Sequence, residues 1–273
     1  MKFKAHLSFS LIVLLFASLF SCATTGPGGE RDLILISTEQ EKQLGREFDQ
    51  QVRAESKIYT NEQWNNYFNE IGQRIVAVSD RKDLDYTFTI IESDDVNAFA
   101  VPGGYIYIYT GLLNVMENEA QLAAVTSHEI SHVVARHTVK RLQQVLGISL
   151  LYQIVMGEAS SDAMDAAIGL GLNIALSGYS RDYEREADQY GVFYMEKAGY
   201  NPEGALGLFN EMQEAHGGAS DERSFFENIF ASHPETQERI NNVEEQISQY
   251  PREVLSRDKN HDKYQQMKAL LPQ

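Results

Sequence analysis

The stretch VTSHEISHVV, Val125 to Val134, sets two histidines and a glutamate inside a run of apolar and small residues. His128 and His132 are four apart. On a helix, four steps of ~100° return the second side chain to nearly the same face, one turn along. Two imidazoles placed that way can reach one ion at ~2.0–2.1 Å from each nitrogen. Glu129 falls ~100° around the helix, beside such an ion rather than on it, where it can take a proton from water. Random order would place only roughly 0.02 such motifs in a chain of this composition, so chance is a poor explanation. A pair of core histidines without metal is also disfavoured, because rings and carboxylate would need costly satisfaction in an apolar stripe. Working outward, the spacing predicts one helix from Glu117 to about Leu146, with Leu122, Val125, Ile130, Val133 and Val134 as its apolar contacts.

A catalytic zinc takes three protein ligands and keeps one open position. The continuation HExxHxxGxxH is missing, since position 135 is Ala135 and position 138 is Thr138. His137, five residues after His132, points off the ligand face of a continuous helix and is read as structural. The better source is YSRDYEREAD, where Glu184 and Asp188 share a helical face and Glu186 points elsewhere. Spacing leaves Glu184 and Asp188 in competition as third ligand. The other would suit the far nitrogen of a ligand imidazole.

Around this motif the pattern is α+β, mostly helical with a small sheet. STEQEKQLGREFDQQVRAES opens with Ser37 or Thr38 as a cap, and the next helix spaces Trp64, Phe68, Ile71 and Ile75 for the core. DYTFTII and YIYIY are strands, the second after a Pro-Gly-Gly turn. YIYIY is read either as an edge that pairs with an extended peptide or as an ordinary core strand. Two apolar stretches, Val145–Gly157 and Ala163–Leu176, are too short to span a membrane. They suit buried helices, or a membrane-surface or gating element.

A formal charge of −16 argues against nucleic acid, whose phosphates need clustered Lys and Arg. Residues 1–21 read as a signal peptide, with Lys2 and Lys4 ahead of an apolar run from Leu7 to Phe20. LFSC resembles a lipobox, which makes Cys22, the one cysteine of the chain, the candidate for lipidation. Residues 22–36 read as a flexible tether, 37–250 as the metallopeptidase domain and 251–273 as a C-terminal tail.

HEISHVVARH, then YSRDYEREAD, then ASHPETQERI, in that order, resemble the HtpX/BepA-like zinc metallopeptidases, the family that includes the CAAX prenyl endopeptidases. The resemblance runs from about Ser37 to Gln249. It implies a gluzincin-type domain binding one Zn²⁺ per chain through His128, His132 and Glu184, with Glu129 as general base. It further implies an accessory catalytic role for Asp188 as proton donor, and His233 as a removable, regulatory fourth ligand. Against that stands the reading of His233 as a loop-end histidine before a helix-starting proline. Arg239 is expected to support that loop or an active-site carboxylate. Several long spans, as in integral-membrane members, and a tetratricopeptide array after Gln273, as in BepA, are not expected; the resemblance is to the short bacterial lipoprotein branch. The resemblance implies an endopeptidase acting on unfolded or misassembled envelope proteins, lipid-anchored in the outer membrane and facing the periplasm. The competing expectation is a chaperone-like lipoprotein that binds outer-membrane proteins and uses zinc structurally.

Overall fold

The computed structural model describes Ile34 and residues 36–217, 227–234 and 237–272. The signal segment, Cys22 and most of the tether lie outside these residues. Helix α1, Thr38–Glu55, starts at Ser37, whose hydroxyl accepts from Gln40 N while the Gln40 side chain accepts from Ser37 N, a reciprocal cap. Helix α2, Glu62–Val76, buries Trp64, Phe68, Ile71 and Ile75, as their spacing predicts. Three strands follow, β1 Thr87–Ile91, β2 Ala98–Val101 and β3 Tyr105–Tyr109. Their order is β1-β3-β2, with Thr87 opposite Tyr105 in the parallel pair and Ala98 opposite Ile108 in the antiparallel pair.

The sheet separates two apolar layers. Ile106 and Ile108 pack with Trp64, Phe68 and Ile130 on one side, whereas Tyr107 and Phe99 pack with Phe48 and Ile168 on the other. Phe99 stacks on Tyr107 at 4.8 Å between ring centres. The strand YIYIY therefore has both edges filled, and addition of a peptide to β3 is ruled out. Strand β2 lies at one edge of the sheet and is itself buried, with Ala98 N donating to Asn97 Oδ1 at 2.9 Å. Because Tyr109 N donates to Asn97 O, alternation along the antiparallel ladder turns the peptide groups of Ala98 and Ala100 away from β3.

After helix α3, Thr110–Val115, the metal-motif helix α4 runs Glu119–Val134, capped by Asn118. It does not continue to Leu146. Arg136 takes a left-handed conformation, φ 56°, and a separate helix α5, His137–Val155, departs from it. The break is held from a distance by Glu41, which is 1% exposed. Its carboxylate takes Arg81 at 2.9 and 2.7 Å and Arg136 Nε at 2.8 Å, while Arg81 also donates to Val133 O at 3.2 Å, at the end of α4.

Helices α5 and α6, Ser161–Ser177, carry the two apolar stretches. Leu142, Leu151, Ile154, Ile168 and Ile174 are buried, and Val145, Tyr152 and Met156 face outward. No helix among the described residues is long and apolar enough to cross a membrane. Helices α7 Arg181–Lys197, α8 Glu203–Gly217, α9 Glu227–Ser232 and α10 Gln237–Ser248 complete the region around the motif. The segment read from sequence as a tail adds two packed helices, α11 Arg252–Leu255 and α12 His261–Lys268. Tyr264 is fully buried and donates to Leu113 O at 2.6 Å, and Trp64 Nε1 donates to Met267 O at 2.7 Å. This stretch closes the same core rather than trailing from it.

Candidate metal centre

Helix α4 presents His128 and His132 one turn apart, with their Nε2 atoms 3.0 Å from each other. Helix α7 lies against α4, and Ser180 starts it by accepting from Tyr183 N. Glu184, one turn in, directs Oε2 to within 3.5 Å of His128 Nε2 and Oε1 to within 3.5 Å of His132 Nε2. His233 closes the group, its Nδ1 3.2 Å from both His128 Nε2 and Glu184 Oε2. One ligand atom from each of the four residues lies within 4.8 Å of all the others.

The donor set fits a small divalent cation. Bonds of ~2.0–2.1 Å in a tetrahedron separate the ligand atoms by about 3.4 Å; the five closest contacts here, which use both Glu184 oxygens, are 3.0 to 3.5 Å, and one atom per residue spreads to 4.8 Å. Glu184 Oε1 is buried without a hydrogen-bond donor. The electrostatics agree. Against the effect of burial, Asp188 and Glu184 push His128 up to about 10, so this pocket favours a positive charge at that ring. Burial would raise Glu184, yet His233, His128 and His132 hold its carboxyl well below the usual carboxylate range.

Asp188 sits behind the cluster. Its Oδ1 lies 3.0 Å from His128 Nδ1, on the ring edge opposite the other donors. Arg239, from α10, binds it through two nitrogens at 2.6 and 2.7 Å. Despite burial, that guanidinium and the His128 contact keep the Asp188 carboxyl below its ordinary range. Asp188 is thus clamped as an anion between Arg239 and the far nitrogen of His128. The same Arg239 donates to Pro234 O at 2.9 Å and approaches Glu184 Oε2 at 3.0 Å, so it supports both the His233 loop and the carboxylates.

His233 is brought in by a contact that sequence spacing does not reveal. Gly178, φ 98°, lies so close to α9 that a Cβ there would stand 2.7 Å from Ala231 O and 2.8 Å from Ser232 O. Only glycine permits both that backbone and that approach. His233 Nε2 in turn reaches Glu129 Oε1 at 3.3 Å. Glu129 is buried, which raises its carboxyl above the usual range against the pull of His233 and His128; the Ala100 backbone of β2 also hydrogen-bonds to it. Beside His128 and Glu129 opens an apolar pocket, walled by Ala124, Val192, Met195, Leu208, Phe209 and Ile229.

His137 lies outside the four-residue cluster, but it is not remote. Its Nδ1 lies 2.8 Å from His132 Nδ1 and its Nε2 3.2 Å from Glu186 Oε2. A continuous helix would have carried it away from His132; the turn at Arg136 returns it.

The chain matches the model of Peptidase family M48 over residues 62–247. It is 32% identical over 180 residues to the mitochondrial metalloendopeptidase OMA1 of Schizosaccharomyces pombe, covering 66% of this chain and 52% of that one. Against the beta-barrel assembly-enhancing protease of Escherichia coli it is 29% identical over 177 residues, 62% of this chain and 36% of the relative. The corresponding Vibrio cholerae protein is 28% identical over 226 residues, 79% of this chain and 46% of its own length. The chain thus spans about half the length of these relatives, or less.

Proposed function

The chain belongs to Peptidase family M48, and from that membership and the site's geometry we propose that it is a zinc-dependent endopeptidase acting on unfolded or misassembled cell-envelope proteins. The observation that carries this reading is the convergence of His128, His132 and Glu184 on one point, with the buried Glu129 beside it. Two imidazoles and a carboxylate suit zinc among divalent ions. When bound, the cation supplies Lewis acidity at a peptide carbonyl and at water. Glu129 takes the proton of the attacking water and delivers it to the leaving amine. Its raised carboxyl pKa brings it nearer the working pH, where a general base is most effective. Asp188 and Arg239 hold His128 in place. The adjoining apolar pocket takes a side chain next to the scissile bond.

In this arrangement His233 is a brake. It occupies the fourth donor position and contacts Glu129, so substrate requires it to leave. That same closure favours a second reading, a chaperone-like protein with structural metal, because structural zinc sites are four-coordinate and closed. One experiment separates them: cleavage of casein by the purified protein, with and without chelator and with Glu129→Gln. The peptidase reading expects chelator and Glu129→Gln to abolish cleavage while the variant keeps its metal; undiminished turnover in both arms overturns it. The relatives named as beta-barrel assembly-enhancing proteases support envelope proteins as the substrate class. We further place the protein at the outer membrane, facing the periplasm and anchored through Cys22; Cys22→Ala should release it from membranes.

A further inference from the structure

We propose that His137 and Glu186 are positioning residues of the metal centre, fixing the proton of His132 on Nδ1 and so aiming its Nε2 lone pair at the cation. The proposal rests on the metallopeptidase reading for the presence of that cation, and on its own geometry for the rest. His132 Nε2 is the nitrogen that faces His128 Nε2 at 3.0 Å and Glu184 Oε1 at 3.5 Å. To ligate, it must be unprotonated. A neutral imidazole then carries its proton on Nδ1, which lies 2.8 Å from His137 Nδ1. Two ring nitrogens at that distance form a bond only if one donates and the other accepts, so His137 Nδ1 is the bare one. The proton of His137 is therefore on Nε2, 3.2 Å from Glu186 Oε2, an acceptor when ionised. The carboxylate of Glu186 thus sets the polarity of two rings in series.

Both rings are held in plane for this. His137, 0% exposed, stacks on Tyr183 at 4.1 Å between centres and 12°, and His132 stacks on Tyr179 at 4.1 Å and 20°. His128 has the direct version of the same device, with Nδ1 against Asp188. Each imidazole of α4 thus ends on a carboxylate, that of His132 through an interposed ring. Carboxylate–histidine support of this kind raises ligand basicity and fixes orientation.

The test compares His137→Leu and Glu186→Leu with His137→Gln and Glu186→Gln, whose amide oxygens can still accept. Zinc affinity is read by competition with a chromogenic chelator, folding by circular dichroism, and ring protonation by long-range proton–nitrogen NMR of the zinc-loaded wild type. The leucine variants should bind zinc about 10–100-fold more weakly, the glutamine variants should recover most of that loss, and NMR should find His132 protonated on Nδ1 and His137 on Nε2. Should His137→Leu fail to fold, Glu186→Leu carries the measurement, because Glu186 lies at the margin of the site with 18% of its side chain exposed. Leucine variants with wild-type zinc affinity, or a His137 proton on Nδ1, would overturn the proposal alone. A wild-type protein that binds no zinc would instead overturn the metallopeptidase reading on which it stands.

Discussion

Replacing Glu41 with glutamine keeps the shape of the side chain and removes its charge, at a point more than 80 residues from the metal motif in sequence. Glu41 is 1% exposed and receives Arg81 at 2.9 and 2.7 Å, Arg136 at 2.8 Å and Gly103 N at 3.3 Å. Glu41→Gln leaves two buried guanidinium groups facing an amide, one end of which is itself a donor. Removing one member of a buried ion group costs about 3–5 kcal/mol, because the remaining charge stays desolvated; here only Asp83, 3.5 Å from Arg81 Nε and half exposed, is left as a counter-charge. At ~2–4 °C per kcal/mol for a domain of this size, Tm should fall by roughly 6–20 °C. Urea unfolding of chelator-treated protein, followed by far-ultraviolet circular dichroism, measures the free energy directly. If unpaired charge is the cause, the triple variant Glu41→Met, Arg81→Met, Arg136→Met should be more stable than Glu41→Gln, although it removes more contacts. The reasoning fails if Glu41→Gln unfolds within about 0.5 kcal/mol of wild type, the range of ordinary surface substitutions. It also fails if the triple variant is the weaker of the two.

Glu184→Ala should lose its metal by elemental analysis, whereas stoichiometric metal in the folded variant would move the third ligand elsewhere. His233→Ala should keep the metal and cleave casein faster than wild type; slower cleavage would give that ring a part in the reaction instead of a braking one. Gly178→Ala forces a Cβ to within 2.7 Å of Ala231 O at a φ of 98°, a backbone cost of about 1–3 kcal/mol. Relief of that clash moves the segment before His233, so this variant should show a lower Tm together with faster cleavage. A lower Tm with unchanged cleavage would separate Gly178 from the His233 position.

What could be read from sequence was whatever one helix settles by itself. His128, Glu129 and His132 depend only on 100° steps within α4, and the core face of α2 at Trp64, Phe68, Ile71 and Ile75 depends on the same periodicity. Strand β2 escaped because four residues, Ala98 to Val101, carry too little pattern, and its pairing partner alone defines it. The packed 252–271 region escaped because short polar helices owe their place to single anchors, Tyr264 and the Met267 carbonyl, which reach the core from far along the chain. Glu184 and Asp188 are indistinguishable on their own helix, since they share one face. A guanidinium from α10 distinguishes them, by occupying both oxygens of Asp188 and leaving Glu184 Oε1 without a donor.

His137 shows how one non-local contact changes the meaning of local spacing. Five steps along an unbroken helix put a side chain about 140° from its starting face, and nothing in HVVARH signals a break, since it holds neither glycine nor proline. The break exists because Glu41, on α1, pairs with the side chain of Arg136 while Arg81 holds the Val133 carbonyl near the end of α4. Held there, Arg136 turns into the left-handed region and delivers His137 to the back of His132. The two cluster histidines of α4, His128 and His132, are therefore specified within a turn of each other. The residues that aim them are specified by charges on α1, α7 and α10, and the buried ion group at Glu41 is as much a part of the metal centre's construction as the histidines are.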